Sequence, residues 1–166
     1  GLLRFLTVRE AKRTGEVMII LTTTAEDFPD ANLLGMQLIK EFPKVRSVVH
    51  SINRRKAQIA IGDEEIVLGG SPNIQEKLGN FTFEISPSSF FQPNTLQAER
   101  LYHRVIEMAG PLSKDRVLDV YCGTGGISLF LSEFVREVVG VEIAESAVKD
   151  AVRNGVKNGV DNCRFI

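Results

Sequence analysis

The chain has 166 residues, 43% of them hydrophobic, and 20 lysines and arginines against 21 aspartates and glutamates give a net charge of -1. That length buries one core or two small ones, and the balanced charge excludes a whole-molecule field drawing the chain to nucleic acid or anionic lipid, so contact with RNA needs a local patch. There is no apolar run of roughly 18 residues and no charged-then-apolar leader, and Cys122 and Cys163 lack metal-ligand spacing, so the chain reads as a soluble, cytoplasmic protein without a membrane anchor, a metal site or a disulfide framework.

The first stretch predicts a small α+β unit. Val17 to Thr22 is a buried-strand candidate. Asp30 offers an N-cap to a helix whose Leu34, Leu38, Ile39 and Phe42 share a face, and Pro43 closes it. Val45 to Asn53 follows as strand, then Ala57 to Ile61 with alternating apolar residues, a Gly62-Asp63 turn and Glu65 to Leu68. Gly69-Gly70-Ser71-Pro72 breaks this grouping, and Phe81, Phe83 and Ile85 mark a further strand. The domain change is placed near Ile85, giving domains 1–85 and 86–166.

Beyond it helices and strands alternate. Asn94 to Gln97 resembles a capping box, opening a helix with Ala98, Leu101, Tyr102, Val105 and Ala109 at helical spacing until Gly110-Pro111. Val117 to Tyr121 is the next strand, Gly126 to Phe134 a helix, Glu137 to Glu142 a strand, Glu145 to Asn158 a helix, and Cys163 to Ile166 a third strand. Strands separated by helices imply a parallel sheet with right-handed crossovers.

The motif that carries chemistry is the first strand-to-helix turn, Asp119-Val-Tyr-Cys-Gly-Thr-Gly-Gly126. Gly123 and Gly125 remove side chains where a tight turn brings backbone close to a ligand, and the following helix offers free N–H groups. Glu142, at the end of the next strand and 17 residues after Gly125, is placed to accept from the two hydroxyls of an adenosine ribose. A nicotinamide fingerprint wants a third glycine where Ser128 stands, and Asp119 beside the loop disfavours a pyrophosphate while suiting a cofactor with an amino group and a sulfonium. A methionine-like cofactor is therefore favoured over a dinucleotide, and over a tight turn with no ligand.

Phe90-Phe91-Gln92-Pro93-Asn94 within SPSSFFQPN, then QAERLY, DVYCGTGGISLFL and VVGVEIAESAV, resemble the RNA uracil-C5 methyltransferases that make 5-methyluridine in transfer and ribosomal RNA. The likeness is close over Phe81 to Ile166, and the earlier part, with Arg4 and the Thr14-Gly15-Glu16 turn, is similar more loosely to that family's central domain. It implies a Rossmann-like S-adenosylmethionine-dependent methyltransferase half-domain of α/β class preceded by the small α+β domain. Carried over, it implies that Gln92, Tyr121 and Glu142 contact S-adenosylmethionine and that Gly123 and Gly125 shape the loop, with Asp119 beside it. Gly126 stands where some members place a polar side chain that touches the cofactor. Pro93 suits an extended approach to Asn94.

In such enzymes a cysteine thiolate adds to C6 of uracil, C5 takes the methyl group, and a base removes the C5 proton. The resemblance places that cysteine and base beyond Ile166, so this chain is expected to be an inactive portion of a longer enzyme acting on tRNA or rRNA, with no protein partner implied. Cys122 and Cys163 read as small packing residues, His50 and His103 as surface or structural, and Arg54-Arg55-Lys56 as solvated hairpin charge rather than a phosphate contact. Of Phe90 and Phe91, one is expected to pack and one to face a target base, while the Gln92 amide in an apolar setting must find partners. A methyltransferase for another substrate, an NAD-dependent oxidoreductase and an RNA-binding module with a vestigial loop remain as alternatives.

Overall fold

The computed structural model describes residues 1–55, 60 and 62–166, so the strand expected over Ala57–Ile61 lies outside the described residues except for Ala60, as does Lys56 of the basic turn. Its contacts divide the chain into two compact units, residues 1–75 with 86–88, and residues 76–85 with 89–166.

The first unit holds strands β1 (Leu3–Glu10) and β2 (Val17–Thr23), helix α1 (Ala31–Glu41), and strands β3 (Val45–Ile52) and β4 (Glu64–Gly70), in the sheet order β1-β2-β3-β4. β2 and β3 run parallel across α1, while β1 and β4 pair antiparallel with their neighbours. β1 escapes sequence reading because its pattern is inverted: Thr7 and Arg9 turn inward while Leu6 and Val8 are exposed. The face of α1 is also narrower than its periodicity suggests. Ala31 and Gly35 are its buried centre, Phe42 lies beyond the helix end and is exposed, and Asp30 occupies the N-cap position without a side-chain capping bond. Glycine is required at 35 because a Cβ there would lie 2.4 Å from Leu68 Cβ, so this helix packs directly onto β4.

The second unit gathers β6 (Phe81–Ile85), its sheet partner β5 (Ile74–Leu78) from Glu76 onward, helix α2 (Thr95–Ala109), strand β7 (Arg116–Val120), helix α3 (Gly126–Ser132), strand β8 (Glu137–Val141), helix α4 (Glu145–Lys157) and strand β9 (Cys163–Phe165). β7, β8 and β9 form a parallel sheet in that order, as strands joined by helices require.

The domain boundary expected at Ile85 moves earlier in contact terms. Leu78, Phe81 and Phe83 belong to the buried cluster of Leu129, Phe130 and Val138, and the Phe81 and Phe130 rings lie 5.4 Å apart. Aromatic burial of this size outweighs the local strand grouping, and the break at Gly69 to Pro72 is the nearer punctuation.

α2 starts and stops as its sequence indicates, with Asn94 Oδ1 accepting from the Gln97 N–H at 3.1 Å and Gly110 left-handed at φ 55°. Its inner face differs from the expected one: Thr95, Ala98 and Ile106 are buried and Tyr102 half-buried, whereas Leu101 points outward.

Two asparagines, Asn154 in the last turn of α4 and Asn158 at its C-cap, serve as side-chain partners for β6. Asn158 accepts from the Thr82 N–H and donates to the Thr82 carbonyl, both at 2.8 Å, and Asn154 accepts from the Glu84 N–H at 2.7 Å. A strand edge that would carry unpaired N–H groups is thereby satisfied by side chains. Among the described residues no helix is long and apolar enough to cross a membrane.

Candidate functional site

β7 ends at Val120, and the chain then turns sharply into α3. Tyr121 takes φ 65°, the one non-glycine with positive φ among the described residues, and the N–H groups of Tyr121 and Cys122 both donate to the Val141 carbonyl at 2.8 and 3.1 Å. A bulky residue held left-handed stores strain of about 1–3 kcal/mol, and such strain gathers at ligand clamps. Gly123 (φ 55°) and Gly125 (φ 83°) complete the turn. A Cβ at 123 would meet nothing, so glycine serves the backbone conformation there, whereas at 125 it would lie 3.0 Å from the Phe165 ring.

Glu142 clamps this loop from β8. One carboxylate oxygen accepts from the Gly123 N–H and the other from the Ala144 N–H, each at 3.0 Å. A carboxylate has about four lone-pair sites, so each oxygen retains capacity for another donor. Asn154, fully buried, donates to the Thr124 carbonyl at 3.1 Å while holding β6 with its other amide atom. Asp119 accepts from the Ser128 hydroxyl at 2.5 Å; burial raises its pKa, opposed by that bond. Ser128 thus has a local task where a dinucleotide fingerprint has glycine.

A cavity of about 130 Å³ opens beside the loop, lined by Phe90, Phe91, Gln92, Tyr102, Tyr121, Cys122, Gly123, Thr124, Gly126 and Ile127. Of the residues singled out from sequence, Gln92, Tyr121, Gly123 and Gly126 meet here, while Gly125, Asp119 and Glu142 lie around it and shape the loop. Neither the Gln92 amide nor the Tyr102 hydroxyl has a hydrogen-bond partner among the described residues. Tyr121 is 82% exposed. Phe91 packs 5.5 Å from the Phe83 ring, and Phe90 stays 69% exposed. A larger groove, about 410 Å³, follows the free edge of β7 past Val105, Pro111 and Leu118; it touches Asp119 and Ile127 but none of the glycines.

Tyr102, Thr124 and Asn154 were not legible as site residues. Tyr102 stands in a regular helical repeat, and only the missing side chain at Gly126, where a Cβ would lie 2.8 Å from the Tyr102 hydroxyl, signals its position.

The cysteines are unreactive by environment. Burial, then Asp119, then Glu142 push the Cys122 thiol up to about 12, and burial pushes Cys163 to about 11. His50 is 6% exposed, lies 2.8 Å from Thr23 Oγ1 and stacks edge-on against Phe28; His103 rests edge-on against Phe130. Since the Thr23 hydroxyl already donates to the Thr24 carbonyl, the His50 Nε2–H is the donor to Thr23. Arg54 and Arg55 pair with Glu64 and Asp63. Among the described residues no three His, Cys, Asp or Glu side chains are grouped as metal ligands.

A parallel sheet with a glycine loop at the carboxyl end of its first strand and an acidic residue ending the second defines the Rossmann-like α/β fold of methyltransferases, and comparison with solved structures agrees. The tRNA (uracil-54, C5)-methyltransferase of Pyrococcus abyssi, solved in complex with S-adenosyl-L-homocysteine, superposes with a TM-score of 0.83 at 33% identity, covering 100% of this chain and 39% of that one. The Methanocaldococcus jannaschii tRNA m1G37 methyltransferase, 18% identical with a TM-score of 0.54 over 100% of this chain and 48% of its own, shares the fold.

The chain belongs to the tRNA (uracil-5-)-methyltransferase family, whose model matches residues 26–166. An uncharacterized RNA methyltransferase of Clostridium tetani is 43% identical over 166 residues, and one of Clostridium acetobutylicum is 41% identical over 143, or 86% of this chain. The chain spans about a third of the length of these relatives, 36% and 31% respectively.

Proposed function

We propose that this chain is the cofactor-holding portion of an RNA (uracil-5-)-methyltransferase, and that the full-length enzyme uses S-adenosylmethionine to methylate C5 of a uridine in tRNA or rRNA. The observation that carries the reading is the convergence of the strained Tyr121 turn, the Gly123 backbone and the unpartnered Gln92 amide on one cavity, with Glu142 fixing the loop. At about 130 Å³ that cavity is smaller than the roughly 300–1,000 Å³ of whole-ligand pockets, which suits one end of an extended cofactor.

When bound, the cofactor supplies an electrophilic methyl group on a sulfonium. The residues of this chain bind and orient it. Glu142, held by the Gly123 and Ala144 N–H groups, keeps lone pairs for the ribose hydroxyls, and Gln92 offers both a donor and an acceptor. Tyr121, exposed at the turn, lies against the cofactor, and Asp119 contributes negative charge behind the loop. Exposed Phe90 provides a face on which a flipped target base stacks.

Methylation at C5 needs a thiolate to add at C6, and neither Cys122 nor Cys163 suits that task at neutral pH. Membership of the family points to a further cysteine of the full-length enzyme as the nucleophile, so this chain alone is expected to be inactive. Family membership favours methyl transfer over nicotinamide chemistry, and a cytoplasmic setting goes with RNA as partner. The test is tritium release from tRNA and rRNA carrying 5-tritiated uracil. Release by the full-length enzyme that requires S-adenosylmethionine is expected; methyl transfer without release would move the reaction to another atom, and no transfer to either RNA would overturn the reading.

A further inference from the structure

α2 brings a second tyrosine to the cavity. The Tyr102 ring is fixed edge-on against Phe130, 5.3 Å between centroids, on a helix whose N-terminus is capped by Asn94. Its hydroxyl occupies the space beside Gly126, where a Cβ would stand only 2.8 Å away. Any other residue at 126 pushes that oxygen from its place, so the absent side chain and the phenol position are one feature. The hydroxyl has no partner among the described residues, yet it is not sealed from the cavity it lines.

We propose that Tyr102 is a cofactor-contact residue whose phenol donates a hydrogen bond to the carboxylate at the amino-acid end of S-adenosylmethionine. This rests on the methyltransferase reading above. With the ribose at Glu142, which is not part of the cavity wall, the other end of the cofactor falls to the wall formed by Gln92, Tyr102 and Gly126. Burial, and secondarily Asp119, raises the Tyr102 pKa, so the phenol stays protonated and able to donate. A neutral phenol held against a carboxylate makes a charge-assisted bond without burying a second charge.

The test is calorimetric titration of the chain and its Tyr102→Phe variant with S-adenosylhomocysteine and with 5′-methylthioadenosine, which keeps the adenosine and sulfur but lacks the amino-acid end. Loss of one such bond is expected to weaken the homocysteine compound by about tenfold and leave methylthioadenosine unchanged. Equal affinity of variant and parent for the homocysteine compound, or equal weakening of both ligands, overturns the assignment. Failure of the parent chain to bind the homocysteine compound would instead sink the reading of this chain as the cofactor-holding portion.

A second measurement leaves the protein unaltered. The chain has 2 tyrosines, so carbon-13 labelling at tyrosine Cζ gives two signals. The Tyr102 signal, assigned by the phenylalanine variant or against Tyr121→Phe, is expected to move with S-adenosylhomocysteine and not with methylthioadenosine; movement with both, or with neither, counts against the contact.

Discussion

In the first unit several buried polar side chains of β2 and β3 satisfy one another and the nearby backbone: His50 donates to Thr23, Thr23 to the Thr24 carbonyl, and Ser51 accepts from the Gly62 N–H, while the Ser47 and Thr24 hydroxyls are sealed in without a partner. In the second unit Asn154 and Glu142 direct hydrogen bonds to the glycine loop, while Gln92 and Tyr102 are left without partners at its cavity. Each region leaves a few polar atoms outside the rule that buried polar groups are paired, the first at hydroxyls sealed from solvent and the second at groups that line a cavity. They differ in whether the unpaired atoms can meet a ligand and in whether the His50–Thr23 network, unlike the loop's, closes on itself. A closed network specifies packing, whereas one that ends on unpartnered groups beside a strained turn is prepared for a ligand.

Matched substitutions in the two units sharpen that contrast. The largest effects come from two tightly packed glycines, one in each unit. At Gly140 a Cβ would lie 2.6 Å from the Phe165 ring and 2.9 Å from Cys122 Sγ, and at Gly35 it would lie 2.4 Å from Leu68 Cβ. Each changed to alanine is expected to cost about 2–3 kcal/mol in urea unfolding, because neither neighbour is the free end of a flexible chain. Of the two, Gly140→Ala alone should also weaken binding of S-adenosylhomocysteine, since it displaces a residue of the loop. Equal loss of binding from Gly35→Ala would erase the distinction.

Next in size is the removal of one buried polar side chain from each network. Asn154→Ala strands the Glu84 N–H and the Thr124 carbonyl, costs about 2 kcal/mol, and loosens the loop, so both the unfolding midpoint and cofactor affinity fall. Thr23→Val takes the partner from the His50 N–H and from the Thr24 carbonyl, costs about 1–2 kcal/mol, and is expected to leave calorimetric affinity untouched.

Acid should act on the first network. Burial lowers the His50 pKa below its ordinary 6.5, outweighing the opposing effect of Glu64. For a base with a depressed folded pKa, the neutral form is the one the fold prefers. Its contribution to stability is therefore complete above 6.5 and is lost as pH falls from 6.5 toward the folded value. Thermal midpoints measured across that window should decline, and His50→Gln should flatten the decline.

The cysteines report on reactivity and leave stability and affinity unchanged. With thiols raised to about 12 and about 11, Cys122 and Cys163 in the native chain should react with iodoacetamide far more slowly than after unfolding. Rapid native alkylation of Cys122 would reopen a nucleophilic role for it.

Much of the second unit was legible because its signals are local. The Asn94 cap, the Gly110 stop and the alternation of strand and helix act within a few residues, and the Asp119 to Gly126 motif names its own turn. What escaped depends on distant partners. β1 carries its apolar residues outward, and β5 became part of an aromatic core only through Phe130, some fifty residues on. Glu142 and Asp119 were read as facing a ligand. Their carboxylates are first committed to the Gly123 and Ala144 N–H groups and to Ser128, pairings that no spacing reveals. Asn154 and Tyr102 are ordinary helical residues in sequence and acquire their significance only when the loop is folded against them.

The most direct test of the account is calorimetric titration of this chain with S-adenosylhomocysteine and, separately, with NAD, each repeated with Glu142→Ala. Binding of the homocysteine compound alone, weakened about tenfold or more by the substitution, is the expected result. Preference for NAD, or binding of the homocysteine compound indifferent to Glu142, would contradict the site assigned to the loop between β7 and α3.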